Sequence, residues 1–270
     1  QGIEFSVDQN TSHILGYGIN HETMANDFEY QEITTNIREA KRARAKKMCK
    51  KSQEEPIVME DKNGNNYEVS LTIQDMDKLV HGRAIYTGHF GVKIAEKVKE
   101  NLGVTIDQYE ATMLFFKASK YDKYATKTIS EIDPCYNPEK VDGEKTLLDY
   151  VRIEQGKKNW QVKEDKTAYP TAFQAIFLIH NHGGIAIIAH PDEGTTRERV
   201  EKYLQLGADG IEVYSPKNNG GTPYYQRLVE KYNLIATAGT DWHGQTYSPD
   251  KILRMTNAPT QLNWGEIKCT

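Results

Sequence analysis

From Ala172 onward, helix-type and strand-type segments alternate with short connections, and this alternation restricts the fold more than any other feature of the chain. The spacing predicts helices over Ala172 to Asn181, Arg197 to Leu206 and Tyr224 to Tyr232. Strands are predicted between and after them, over Ile185 to Ala189, Gly210 to Tyr214 and Leu234 to Ala238. Strands joined through helices return in the same direction, so the winding implies a parallel sheet with helices on its faces. In the last helix Tyr225, Leu228, Val229 and Tyr232 recur at i, i+3, i+4 and i+7, which places one apolar stripe toward the sheet.

Residues of metal-ligand type recur where such strands end. Glu4 follows Gly2 and Ile3, His190 closes Ile185 to Ala189, and Asp241 and His243 follow Leu234 to Gly239. In α/β architectures the carboxyl edge of the strands is where active sites are built. Carboxylate and imidazole without thiolate suit hard or borderline divalent ions such as Zn, Mn or Fe. Asp241 and His243 stand at i and i+2, so on an extended strand end both side chains leave one face.

Ahead of the alternating region, Ile3 to Val7 reads as a strand already under way at the first residues, which suggests a chain cut from a longer one. His13 to Ile19 is strand-like. A long polar helix is expected over Asp27 to Lys51, with Ile33, Ile37, Ala40 and Ala43 on one side. Ile57 to Met59 and Tyr67 to Leu71, joined across Asp61 to Gly64, read as a β-hairpin because Asn-Gly supplies the positive backbone angles of a tight turn. Thr72 with Asp75 marks a helix start. Between about 74 and 170 the composition shifts to Lys, Glu, Tyr and Asp, with helical spacing in Ile94, Val98 and Leu102. A mostly helical inserted cap is expected there.

Composition excludes several classes. A formal net charge of -4 argues against a protein that coats nucleic acid by bulk electrostatics. Cys49, Cys135 and Cys269 are odd in number and form no CxxC pair, so neither a disulfide framework nor a thiolate zinc site is suggested. No segment reaches the apolar length that spans a bilayer, and no charged leader precedes an apolar stretch. A soluble protein of the reducing cytoplasm is expected. The basic run of Arg38, Lys41, Arg42, Arg44, Lys46, Lys47, Lys50 and Lys51 lacks interleaved aromatics and reads as a solvated helix face. The competing reading is a nucleic-acid-binding module built on that helix.

Five segments together carry a family resemblance: Gly2-Ile3-Glu4, His13-Ile14-Leu15-Gly16-Tyr17, Gly183-Gly184 through Ala189-His190-Pro191, Gly207 through Tyr214, and Gly239-Thr240-Asp241-Trp242-His243-Gly244. In their order the chain resembles the PHP (polymerase and histidinol phosphatase) superfamily of metal-dependent phosphoesterases. The resemblance implies a distorted (β/α)7 TIM-like barrel, here without its first strands, with an inserted mostly helical cap. Residues 1–73 would form the first part of the barrel with hairpin 56–71, residues 74–170 the cap, and residues 171–270 the second part.

The same resemblance implies up to three divalent ions (Mn, Zn or Fe). Glu4 would bridge metals, His13 and His190 would ligate one ion, Asp241 a second and His243 a third. Arg83 and His89 in the cap are similar to a Gly-Arg-x-His-like segment that reaches the substrate phosphate, with wider spacing here. The family's opening HxH pair and its Thr-Asp-His-Asp-like segment do not occur upstream of Glu4, so a missing N-terminal segment of the same protein, or another polypeptide, is the expected source of those ligands. The implied reaction is hydrolysis of a phosphomonoester or small phosphodiester (nucleotide, cyclic phosphate or oligonucleotide end) by metal-bound hydroxide. The alternatives are a histidinol-phosphate-type phosphatase and a non-catalytic metal-binding or interaction module. A small phosphorylated substrate is the expected partner, with no stable nucleic-acid complex and no membrane. His21, His81, His180 and His182 read as structural or surface residues, and Arg197 and Arg199, just beyond Asp192 to Thr196, as solvated, with a phosphate contact at the helix start as the alternative.

Overall fold

The computed structural model describes residues 2–9, 11–60, 65–102, 160, 162–191, 195–215, 218 and 220–239. They fall into two compact units, one of residues 1–36 and 166–270, the other of residues 37–165.

The first unit is a mixed α/β layer structure. Its five strands are β1 (Gly2–Val7), β2 (Ser12–Tyr17), β5 (Ile185–Ile188), β6 (Gly210–Tyr214) and β7 (Ile235–Ala238), in the spatial order β1-β2-β5-β6-β7. β1 and β2 pair antiparallel, as do β2 and β5, whereas β5, β6 and β7 run parallel. The parallel winding read from the sequence is therefore present. β5 and β6 are almost wholly apolar because both faces are covered; Ile187, Ile188, Ile211 and Val213 are buried, each contributing roughly 1.5–3 kcal/mol.

Helix α1 (His21–Ala25) follows β2, and α5 (Ala172–Asn181), α6 (Arg197–Gln205) and α7 (Thr222–Tyr232) accompany the parallel strands. Thr171 caps α5 by accepting from Gln174 N–H, and the Gln174 side chain returns the bond to Thr171 N–H. Ala172, Ala175, Ile176, Leu178 and Ile179 form the buried stripe by which α5 packs on β1, β2 and β5. In α7 only the first part of the expected stripe is inside. Tyr225 and Leu228 are buried, while Tyr232, the last residue before the helix closes at Asn233 with φ 53°, is 50% exposed.

The second unit comprises the later turns of α2 (Phe28–Glu54), the hairpin β3 (Ile57–Glu60) and β4 (Asn66–Val69), α3 (Ile73–Val80) and α4 (Thr87–Leu102), with Trp160. Ala45, Met48, Cys49, Ile57, Val69, Leu71, Met76, Phe90, Ile94 and Trp160 belong to one core. Ser52 Oγ accepts from Leu71 N–H at 2.9 Å and donates to Cys49 O at 2.7 Å, which ties the hairpin exit to α2. The sequence placed the hairpin with the barrel; its apolar face instead completes this second core. The turn at 61–64 and most of the expected cap, residues 103–159, lie outside the described residues.

The stripe of α2 also differs from expectation. Ala43 is exposed, and the buried line runs through Ile33, Lys41, Ala45, Met48, Cys49 and Ser52. Lys41 is only 7% exposed because its ammonium meets Glu164 at 2.7 Å and lies 4.4 Å from the centroid of the Tyr86 ring. Arg42 pairs with Asp77, and Arg44 donates to Val162 O. Arg38, Lys46, Lys47, Lys50 and Lys51 are exposed as expected. Among the described residues no helix is long and apolar enough to cross a membrane.

Candidate metal centre

The register of the sheet assembles the site. Side chains alternate between the faces of a strand, and Phe5, Val7 and Ile14 take the buried face toward α5. Glu4 and His13 occupy the other. Ser6 stands opposite His13 and Glu4 opposite Leu15, so Glu4 and His13 are diagonal neighbours across the β1–β2 pair. Their side chains meet, with His13 Nδ1 2.8 Å from Glu4 Oε1.

His190 comes from the far side of β2. Ala189 N–H donates to His13 O at 3.1 Å, which holds the exit of β5 beside the entry of β2. His190 is 5% exposed, and its Nε2 lies 3.1 Å from His13 Nδ1, with the rings edge to face. Glu4, His13 and His190 each offer one ligand atom, all within 4.8 Å of one another. Ligands bonded to one ion at about 2.0–2.2 Å stand about 3 Å apart, so these spacings suit a shared cation. Lone pairs of two imidazoles and a carboxylate aimed at a common point also repel unless a cation or a proton lies between them.

The placement corrects the strand-end reading for Glu4 and agrees with the reading of His13 at the start of a strand. Glu4 sits inside β1, third of its residues, and His13 lies at the start of β2. The antiparallel run of β2 beside β5 brings the amino end of β2 to the carboxyl edge of the parallel strands. Only His190 follows a strand, two residues beyond Ile188. Asp241 and His243 lie outside the described residues. Gly239, which leads to them, donates its N–H to Tyr214 O at 3.0 Å.

A carboxylate that the sequence reading did not select borders the trio. Glu212, in the middle of β6, is 5% exposed, and its Oε2 accepts from His190 N–H at 2.7 Å. The available signal was a glutamate inside the apolar strand Gly-Ile-Glu-Val-Tyr, since a buried charge needs partners to be tolerated. Tyr17 feels the same negative field. Burial, then the charges of Glu212 and Glu4, push its phenol above the ordinary value.

The remaining sequence-selected residues have other surroundings. Arg83 and His89 belong to the second unit. His89 Nδ1 accepts from Tyr86 N–H at 3.0 Å at the start of α4, and burial followed by the charge of Arg83 holds its pKa below the usual histidine value. His180 meets Asp209 at 2.8 Å, and His182 lies 2.9 Å from Thr23 Oγ1 and 3.2 Å from Asp27 Oδ2. Both fit the structural reading. Arg197 lies over the Tyr224 ring and Arg199 donates to Thr11 Oγ1 at 2.7 Å, so neither is merely solvated.

No family model matches the chain. It is 27% identical over 89 residues to a phosphoribosyl 1,2-cyclic phosphate 1,2-diphosphodiesterase of Eggerthella lenta; the match covers 33% of this chain and 34% of the relative, about a third of that protein's length. The fold is similar to that of a candidate metal-dependent phosphoesterase from Bifidobacterium adolescentis, with a TM-score of 0.54 and 16% identity over 94% of this chain and 74% of the other. An amidohydrolase from Chromobacterium violaceum aligns at a TM-score of 0.48 with 18% identity, covering 91% and 68% of the two chains. The first two carry the names of phosphate-ester hydrolases. In the sequence of one segment this chain is similar to a cyclic-phosphate diphosphodiesterase, and in fold to a chain named as a metal-dependent phosphoesterase.

Proposed function

We propose that this chain carries part of the active centre of a metal-dependent phosphoesterase. The observation that carries the reading is the convergence of Glu4, His13 and His190 from three separate strands or strand ends onto one point. The match to a cyclic phosphodiesterase supports a phosphate ester as substrate, and among phosphomonoesters and small phosphodiesters it favours a cyclic phosphate for the first trial. Closure of the sheet into a (β/α)7-type barrel belongs to the same proposal.

Glu4, His13 and His190 would hold one divalent ion, with Asp241 and His243 as ligands of further ions in a site of up to three. A bound divalent ion supplies Lewis acidity, drawing phosphate oxygens and lowering the pKa of water toward neutrality. The protein's own contribution is the donor set. One carboxylate and two neutral imidazoles bring a single negative charge, too little to cancel a divalent cation, so the site keeps a net attraction for phosphate. His190 is buried, which strengthens that attraction on its side of the site, while His13 is half-buried and Glu4 exposed. The roles of Arg83 as a bidentate phosphate contact and of His89 as a second donor are what the family resemblance suggests for these side chains.

The test is Mn-dependent phosphate release from a panel of cyclic phosphates, nucleotides and simple monoesters, run on this chain and on a version extended upstream of Gln1. The expected result is release that requires Mn and falls at least about 100-fold in His13→Ala or His190→Ala, as loss of a metal ligand predicts. Metal binding without turnover in either form would replace the enzyme by a metal-binding module. Turnover that persists in the histidine variants would overturn the site itself.

A further inference from the structure

We infer that Glu212 is a positioning residue for the metal centre: its carboxylate fixes the backbone of His190, and so the direction of the His190 imidazole. The inference rests on the metal-centre reading above and concerns a residue outside the converging trio.

Three observations meet at this carboxylate. The first is the face on which it lies. Glu4 stands opposite Leu15, Leu15 opposite Ile187, and Ile187 opposite Gly210, so Glu212, two residues along β6, continues the face that carries Glu4 and His13. The second is the backbone of His190. Ala189 keeps the register beside His13, and strict alternation would turn the next side chain to the opposite face. His190 instead has φ 22°, a sparsely populated conformation for a residue with a Cβ, and its ring ends 3.1 Å from His13. Such a conformation persists only where the surroundings hold it. The bond from His190 N–H to Glu212 Oε2, at 2.7 Å, is such a restraint.

The third observation is how firmly Glu212 itself is held. Asn218 Nδ2 donates to Glu212 O at 2.9 Å and Val213 O at 2.8 Å, fixing the carboxyl end of β6. Gly239 lies against the carboxylate, and a Cβ added there would overlap Glu212 Oε1. A buried carboxylate costs several kcal/mol unless it is hydrogen-bonded or paired. An apolar residue at this place in β6 would pack more cheaply, so the carboxylate matters for the bond it accepts. Outer-shell partners of this kind orient ligands, and their loss typically weakens metal binding about 10–100-fold.

The experiment is titration with Mn(II), together with the visible absorption spectrum of the Co(II)-loaded protein, for wild type, Glu212→Ala, Glu212→Gln and Glu212→Asp. Gln presents an amide oxygen at the same reach, whereas Asp is one methylene short and Ala accepts nothing. The expected result is Mn(II) affinity down about 10–100-fold in Glu212→Ala and Glu212→Asp with an altered Co(II) spectrum, and affinity within about threefold of wild type in Glu212→Gln. If the alanine variant does not fold, the contrast between Gln and Asp decides. Wild-type affinity and spectrum in all folded variants would overturn the inference alone. Loss in Gln as large as or larger than in Asp would overturn it in favour of a direct charge effect on the ion. No Mn(II) or Co(II) binding by the wild type would remove the metal-centre reading and this inference with it.

Discussion

His13 Nδ1 lies between a carboxylate oxygen at 2.8 Å and an imidazole nitrogen at 3.1 Å, an arrangement that a cation satisfies better than any single hydrogen bond. Isothermal titration with Mn(II) is therefore expected to show at least a 100-fold loss of affinity in His13→Ala, beyond the ~10–100-fold typical of an outer-shell change. Cys49 shows the opposite situation, a reactive residue type made inert. Burial, then the negative charges of Asp75 and Asp77, raise its thiol to about 12, so almost none is thiolate at pH 8. Alkylation followed by peptide mapping is expected to leave Cys49 unmodified in the native protein and to modify it after unfolding. Modification of Cys49 under native conditions would show that the second core opens readily.

Element-scale order depends on caps and close approaches. Thr72 Oγ1 accepts from Asp75 N–H at 3.1 Å and Asp75 Oδ2 from Thr72 N–H at 2.9 Å, closing the start of α3. Thr72→Ala is expected to cost about 1 kcal/mol in urea unfolding. Burial opposes ionisation of Asp75, yet the bonds from Thr72 and the charges of Lys97 and Lys93 outweigh it and set its pKa below the ordinary carboxylate value. A depressed folded pKa stabilises above the unfolded value of about 3.9, and that stability is lost as pH falls through the folded value. Unfolding midpoints measured from pH 5 down to pH 2 should therefore drop, and Asp75→Asn should flatten part of the drop. This cap was legible in the sequence because both partners lie within one turn. The burial of Lys41 was not, since Glu164 and Tyr86, which make it tolerable, are far away along the chain. At β6, Gly210→Ala would drive a Cβ into Ile235 O across the parallel pair, and a loss of about 1–3 kcal/mol is expected.

At the scale of the whole molecule, the site exists only when the sheet is formed, because its ligands stand at positions 4, 13 and 190 of the chain. The ligand types could be read from sequence, since each sits beside an apolar run that marks a strand. Their mutual distances could not, because they follow from β2 running antiparallel to β5, a pairing that no local signal encodes. Glu212 escaped for the same reason: its partner N–H is 22 residues away and belongs to a neighbouring strand end. A ligand that binds only this assembled arrangement must stabilise the fold by mass action. Mn(II) at 100 times its dissociation constant is expected to add about 2.7 kcal/mol to unfolding in the wild type. Chelation with EDTA should return the melting temperature to its starting value. His190→Ala should show almost no Mn-dependent shift, because the ion then has no complete trio to select the folded state. A shift of full size in that variant would mean that the stabilising ion binds elsewhere, and the convergence of Glu4, His13 and His190 would then have to be explained by a shared proton.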